Sequence, residues 1–259
     1  MIDINRIPGD YKFSLHKVGF IRVKHNMKYL TKQKEILSSV GKFSILSDLR
    51  REIRGAHMSR PVRMLEYFDT HVYSNDNVVE FLQNVLQQCE TEKVYFELEY
   101  EHEKKKRAPI TGILASRYYN VIWKKSLQKD LGVILDLLVL TIPVTTSCAC
   151  SKAISDYSSH NQRGYVTVSL SCRTEIWVED IIDLVESAAS CPIYPVLKRD
   201  DEKYVTETVY DNPNLVEDLV RNVAEKLCGK IDTDYFKVIC RIEESILPYD
   251  SYAEVEFRR

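Results

Sequence analysis

Hydrophobic residues recur along the first half of the chain at two spacings, one typical of strands and one of helices. Residues 94–100 alternate between apolar and polar, which predicts a strand with one buried face. Ser59 before Pro61 is a helix start signal, and residues 75–89 carry apolar side chains three and four positions apart. After an irregular lead-in, the predicted order is strands at 18–23 and 43–46, helices near 61–68 and 75–89, and strands at 94–100 and 110–123.

The second half predicts the same order of elements. Its longest helix has a cap at Asn212, begins with Pro213 and stops at Gly229. The predicted elements are strands at 132–144 and 164–172, helices at 178–185 and 213–229, and strands at 236–242 and 252–257. The repetition predicts an α+β fold of two ββααββ modules, one at 1–125 and one at 126–259, each an antiparallel sheet with helices on one face.

The charge of the chain gives no general attraction for polyanions. Its 259 residues carry a net charge of -2, so an anionic ligand would be held by a local group of Lys and Arg rather than by the whole surface. The alternating charges of EHEKKKR at 101–107 predict a solvated hairpin turn. Nucleic acid is therefore not an expected partner.

Cysteine content and apolar runs indicate the compartment. Seven cysteines form no short secreted framework, which favours reduced thiols. The N-terminus has no signal-peptide pattern, and the run GVILDLLVL is interrupted by Asp136, far short of a membrane span. We expect a cytoplasmic protein without a membrane partner.

The segment from Thr145 to Arg163 carries the candidate chemistry, because Cys148 and His160 lie in a polar loop between two predicted strands. Three interpretations are open: a packed thiol beside a hydrogen-bonded histidine, a Cys/His nucleophile pair, or part of a metal site. Cys150 is close enough to Cys148 to form a strained disulfide on oxidation.

A metal site would need a third ligand, and LKRDDEKYVTE at 197–207 offers carboxylates. A thiolate, an imidazole and a carboxylate with one open position match a catalytic zinc site, and Fe(II) or Mn(II) would also be accepted. Spacing alone does not choose among the four candidates, which are Asp200, Asp201, Glu202 and Glu207.

Basic residues near these segments are candidates for holding a phosphate chain. His57 and Arg60 lie at a predicted helix start, where backbone N–H groups favour an anion. Arg163 follows His160 closely, and Lys203 lies within the acidic run. For Arg199, ordinary surface charge is the better interpretation.

Longer segments resemble the GTP cyclohydrolase IB family. The segments are RGAHMSR at 54–60, SCACSKAIS at 147–155, HNQR at 160–163, LKRDDEKYVTE at 197–207 and NPNLVEDLVR at 212–221, within a likeness that runs from RIP at 6–8 to SYAEVE at 251–256. The resemblance implies tandem tunnelling-fold (T-fold) modules and a homotetramer with active sites between subunits. It also implies conversion of GTP to a 7,8-dihydroneopterin phosphate with release of formate, on the folate and pterin pathway.

The resemblance assigns roles by position. The metal ligands would be Cys148, His160 and Glu202, and Glu217 would be a further active-site carboxylate for proton transfer. Glu244 would anchor the purine by accepting hydrogen bonds from the guanine N1–H and 2-amino group. The triphosphate would be held by His57, Arg60, Arg163 and Lys203.

One segment departs from the family pattern. Where the family reads ESIHNHSAYA, this chain reads ESILPYDSYA, so Leu247 and Tyr249 replace two histidines, the first of which is a metal ligand in relatives. Tyr249 or Asp250 could substitute for a lost histidine. Two alternatives to a GTP cyclohydrolase follow, a non-catalytic purine- or pterin-binding protein and an enzyme like the T-fold nitrile reductase, which uses a cysteine nucleophile and NADPH.

Overall fold

A computed structural model describes residues 8–172 and 174–259, so Arg6 and Ile7 of the RIP segment lie outside the described residues. The strands of the described part are β1 (Leu15–Leu30), β2 (Ile36–Leu49), β3 (Val72–Tyr73), β4 (Lys93–Arg107), β5 (Leu114–Gln128), β6 (Gly132–Ser147), β7 (Asn161–Cys172), β8 (Cys191–Pro192), β9 (Thr233–Glu243) and β10 (Asp250–Arg258). The helices are α1 (Ser59–Met64), α2 (Tyr67–Thr70), α3 (Asn75–Cys89), α4 (Ala149–Ile154), α5 (Val178–Glu186), α6 (Arg199–Asp211) and α7 (Val216–Lys230).

These ten strands form one mixed sheet in the described chain. Their hydrogen-bonded order is β10-β9-β7-β6-β5-β4-β2-β1-β3, with β8 added to β6. The pairing of β1 with β3 is parallel, whereas β1 with β2 and β6 with β7 are antiparallel. The prediction of tandem T-fold modules, each an antiparallel ββααββ sheet with helices on one face, is therefore wrong. Alternation along a chain indicates that a strand exists, but distant hydrogen bonds decide which strands share a sheet.

One compact unit comprises the described residues up to Glu101 together with Ile122–Leu137. Its centre is an aromatic cluster in which Phe68 lies 5.3 Å from Phe43 and 5.0 Å from Phe81 between ring centroids. The buried stripe of α3 completes this core, as its spacing predicts. Ser74 caps α3 by accepting a hydrogen bond from the Asn77 N–H at 3.2 Å.

The second compact unit comprises His102–Val121 and Leu138–Arg259. Inward-facing side chains of β6, β7 and β9 are almost fully buried, as alternation predicts. Helix α7 lies against β9 and β10, and α5 contacts α7. Among the described residues, no helix is both long enough and apolar enough to cross a membrane.

Two predicted helices differ from the observed ones. The helix predicted after Pro61 is two short helices, α1 and α2, separated at Leu65 and Glu66. Asn212 ends α6 rather than starting the next helix, and α7 begins at Val216. Helix α6 was not predicted because its 13 residues are mostly polar.

The charged segment 101–107 is not a solvated turn but the second half of β4. His102 is 1% exposed and lies 3.3 Å from the Glu179 carboxylate between Nε2 and Oε1. Lys104 and Lys106 pair with Asp183 and Glu186 of α5. These partners lie far away in sequence, so the local pattern did not indicate them.

Candidate active site

The antiparallel pairing of β6 with β7 places Cys148 beside His160. Ser147 and Asn161 face each other in the register, so the residues just beyond them meet where the two strands end. The Cys148 N–H donates to the His160 carbonyl at 3.2 Å. Ser151 joins them further, because the His160 N–H donates to Ser151 Oγ at 3.3 Å and Ser151 Oγ–H donates to the Cys148 carbonyl at 3.2 Å.

Cys148 is also the N-cap of α4. Its thiol sulfur accepts a hydrogen bond from the Ser151 N–H at 3.4 Å. This hydrogen bond fixes the orientation of the Cys148 side chain at the start of α4. The half-buried thiol of Cys148 is therefore a chemically plausible ligand or nucleophile, and Cys150 beside it is exposed.

The His160 ring is oriented by Gln162. Gln162 Nε2 donates to Thr146 Oγ1 at 3.3 Å, which turns the amide oxygen Oε1 toward His160 Nδ1 at 2.7 Å. Because an amide oxygen only accepts, the neutral imidazole carries its proton on Nδ1 and keeps a lone pair on Nε2. This is the tautomer that a metal-binding histidine requires when its second nitrogen is held by the protein. Sequence reasoning missed Gln162, although its position two residues after His160 was a usable signal.

The four candidate carboxylates of 197–207 separate into two kinds. Asp201 is buried and accepts four hydrogen bonds: from the N–H groups of Ile110, Thr111 and Lys198 at 2.9 Å each, and from Thr111 Oγ1 at 2.7 Å. Burial alone would raise the pKa of Asp201, but these hydrogen bonds outweigh it and hold the pKa well below its usual range. Asp201 is therefore a structural carboxylate, whereas the others, Asp200, Glu202 and Glu207, are exposed.

The donor set of a divalent metal site is only partly assembled. Cys148 and His160 fit such an ion in chemistry and in tautomer. Glu202 lies on the exposed first turn of α6, and no three His, Cys, Asp or Glu side chains of the described residues are grouped closely enough to hold a metal ion. Within the described residues, one chain therefore brings two candidate ligands together and no third candidate beside them.

The turn between β9 and β10 carries Glu244. Its half-buried carboxylate accepts a hydrogen bond at Oε1 from Ser251 Oγ at 2.6 Å. Leu247 and Tyr249 of the same turn are 44% and 63% exposed. Asp250, the other possible substitute for a lost histidine, forms an ion pair with Arg241 at 2.5 Å between Oδ2 and Nη1.

The remaining predicted site residues are distributed over both compact units. His57 and Arg60 line a cavity of about 730 Å³ in the first unit, where Arg60 Nη1 donates to the Gln88 carbonyl at 2.6 Å. Exposed side chains in the second unit include Arg163 on β7, Lys203 on α6 and Glu217 on the first turn of α7. The residues predicted to hold phosphate, together with Glu217, are therefore divided between the two units.

The fold itself is shared with a known class of enzymes. The chain is similar to urate oxidase from Bacillus sp. TB-90, with a TM-score of 0.59 and 10% identity over 95% of this chain and 100% of that one. It is also similar to urate oxidase from Bacillus subtilis 168, with a TM-score of 0.56 and 8% identity over 94% of this chain and 98% of that one. At such low identity the likeness shows a urate-oxidase-like fold and nothing further.

Sequence comparison is far more specific. Residues 1–253 match the family described as type I GTP cyclohydrolase folE2. GTP cyclohydrolase FolE2 of Syntrophobacter fumaroxidans is 36% identical over 259 residues, covering 99% of this chain and 99% of the relative. The FolE2 of Nitrosococcus oceani is 36% identical over 254 residues, covering 98% and 94%, and that of Aromatoleum aromaticum is 34% identical over 254 residues, covering 98% and 93%.

The chain therefore belongs to the type I GTP cyclohydrolase FolE2 family. The resemblance inferred from the motifs is confirmed at the level of a GTP cyclohydrolase. The matching family is described as FolE2 and not by the IB designation that the motifs suggested.

Proposed function

We propose that this protein is a GTP cyclohydrolase of folate biosynthesis, which opens the purine of GTP, releases formate and forms a 7,8-dihydroneopterin phosphate. The observation that carries the proposal is the pairing of Cys148 with His160 at the ends of β6 and β7, with His160 Nδ1 held by the Gln162 amide. Membership of the FolE2 family supports the same reaction.

Cys148, His160 and Glu202 would hold a divalent metal, with Zn(II), Fe(II) and Mn(II) as the candidates. A metal bound there supplies Lewis-acid activation of a water for attack on the purine ring. Glu202 lies on an exposed helical turn and is not grouped with the other two ligands in one chain. Assembly into a homotetramer, with sites completed between subunits, is therefore part of the proposal.

The other roles follow from charge and hydrogen-bonding capacity. Glu244 accepts hydrogen bonds from the guanine N1–H and 2-amino group, because a carboxylate offers two oxygens at a matching separation. Glu217, exposed on the first turn of α7, transfers a proton during ring opening or closure. The cationic and imidazole groups that hold the triphosphate are His57, Arg60, Arg163 and Lys203.

The departure at Leu247 favours a second candidate, a protein that binds GTP without turning it over. Leucine offers no metal ligand, Tyr249 is exposed, and Asp250 is paired with Arg241. In this alternative the guanine is still held by Glu244, but the metal-dependent chemistry is absent. Both candidates predict that the protein binds GTP, but only the first predicts that it turns GTP over.

The test is formate release and pterin fluorescence from GTP. The protein is purified anaerobically and assayed with Fe(II), Mn(II) and Zn(II) in turn, beside Cys148→Ala and the matched control Cys150→Ala. We expect turnover by the unchanged protein and by Cys150→Ala, and loss of both metal and turnover in Cys148→Ala. A fully metallated, active Cys148→Ala variant would refute the site assignment. GTP binding and metal occupancy without turnover would leave the binding-only candidate.

A further inference from the structure

The hairpin turn that carries Glu244 is closed by two side-chain pairs. In the β9–β10 register Asp250 faces Glu243, and Ser251 faces Ile242. Asp250 reaches across to Arg241, and Ser251 Oγ donates to Glu244 Oε1 at 2.6 Å. Asp250 and Ser251 lie at the start of β10, and their partners Arg241 and Glu244 lie on β9 and directly after it. The two contacts therefore hold together the strand ends from which the turn starts.

These two residues belong to the segment in which the chain departs from the family pattern. Where that pattern reads serine and alanine after its second histidine, this chain has Asp250 and Ser251. Alanine has no hydroxyl group, so the hydrogen bond to the Glu244 carboxylate depends on serine at position 251.

A donor at Oε1 restricts how the carboxylate can rotate. The terminal torsion of a glutamate is broad and only weakly restrained by its own chain. A short hydrogen bond to a charged acceptor is among the stronger polar contacts, so it favours one orientation of the carboxylate plane. It uses one of about four lone-pair sites, and enough acceptor capacity remains for two further donors.

We propose that Ser251 is a positioning residue that sets the plane of the Glu244 carboxylate for guanine recognition. This inference rests on the proposed function, in which Glu244 anchors the purine. A guanine uses both carboxylate oxygens at once, so it needs the plane fixed. A hypoxanthine, which lacks the 2-amino group, makes a single hydrogen bond that a rotating carboxylate can follow. Ser251 therefore contributes to the preference for guanine over hypoxanthine.

The test is calorimetric binding of GTP and of inosine triphosphate to the full-length protein, with a chelator present to prevent turnover. We expect Ser251→Ala to weaken GTP binding about tenfold and inosine triphosphate binding by no more than about twofold. Ser251→Thr keeps the hydroxyl and restores the preference. The matched control is Tyr252→Phe, which removes a neighbouring hydroxyl that donates to Glu254; it leaves both affinities unchanged.

A Glu244→Ala variant separates the failure of this inference from the failure of the proposed function. If Glu244→Ala binds GTP as tightly as the unchanged protein, the purine anchor is misassigned and the role of Ser251 is overturned with it. If Glu244→Ala loses GTP while Ser251→Ala retains it, the proposal for Ser251 alone is overturned. An equal loss of both nucleotides in Ser251→Ala indicates a merely structural hydroxyl and also overturns the proposal.

Discussion

The clearest test of the packing around the site is the replacement of Glu186 by glutamine. Glu186 ends α5 with a side chain that is 5% exposed, and it is paired with Lys106 at 2.6 Å and with Arg117 at 3.6 Å. Tyr119 Oη also donates to its Oε1 at 3.0 Å. Glutamine keeps the shape of the side chain and removes its charge. Lys106 and Arg117, both largely buried, then lose the carboxylate with which they are paired.

The expected loss of stability is large because the cations remain buried. Breaking a buried ion pair by removing one partner costs about 3–5 kcal/mol. For a chain of this size that corresponds to a fall in the unfolding midpoint of roughly 10 °C. The effect bears on the site, because Arg117 donates to the carbonyl of Ile193, directly after β8, and to that of Pro143, within β6.

The pH dependence of Glu186→Gln gives a second measurement. Burial already lowers the pKa of Lys106, and Glu186 opposes that effect. Without Glu186 the folded-state pKa of Lys106 falls further below its unfolded value, so the folded state binds fewer protons than the unfolded state. Stability then rises with pH, and the deficit of the variant narrows as the pH is raised from 7 toward 10.

Urea unfolding of Glu186→Gln is compared with that of Glu256→Gln. Glu256 is 41% exposed and paired with Arg258, which is 75% exposed, so its loss costs below about 1 kcal/mol. An equal loss of unfolding free energy in both variants would refute the reasoning that burial makes the Glu186 ion pairs important. A stability loss in Glu186→Gln that does not change with pH would refute it as well.

Two further predictions concern residues near the candidate site. Asp201→Asn replaces an acceptor of four hydrogen bonds by a group that also donates, so its urea midpoint at pH 7 falls below that of Asp200→Asn. Because the folded-state pKa of Asp201 is depressed, its carboxylate contributes fully to stability above its unfolded pKa of about 3.9, and this contribution is lost as the pH falls further. The difference in urea midpoint between the two variants therefore closes in acid. Leu247→His, which restores the family residue, is expected to tighten metal binding at least tenfold in a chelator competition, since even an outer-shell partner of a metal ligand contributes about tenfold or more. The control is Ile246→His one residue earlier, and equal effects of the two would contradict a specific role for position 247.

Patterns confined to one segment predicted most strands and the buried stripes of α3, α5 and α7. The same patterns missed α6, because Asp201 and Val209 are its only buried residues and one of them is charged. They also missed β3 and β8, which are two residues long. The wrong fold class has the same origin, since the sheet order depends on pairings between distant strands.

The candidate site shows the same limit at the level of single side chains. The neighbourhood of Cys148 and His160 was predictable, because both residues flank two strands that pair as a hairpin. The burial of Asp201 and the exposure of Glu202 were not predictable, although the two residues are adjacent in sequence. Asp201 accepts hydrogen bonds from Ile110 and Thr111, which lie about ninety residues earlier, and no local pattern marks that contact.

The turn after β9 narrows how the proposed chemistry can work in this chain. Of the residues that could replace a lost histidine there, Leu247 is apolar, Tyr249 is exposed and Asp250 is paired with Arg241. Side-chain contacts hold the turn on β9, including the one from Ser251 to Glu244. Under the proposed function the segment therefore serves purine recognition, while the metal depends on Cys148, His160 and a carboxylate outside the turn. Restoring a ligand at 247 and removing the hydroxyl at 251 should then act separately, the first on metal affinity and the second on the preference for guanine.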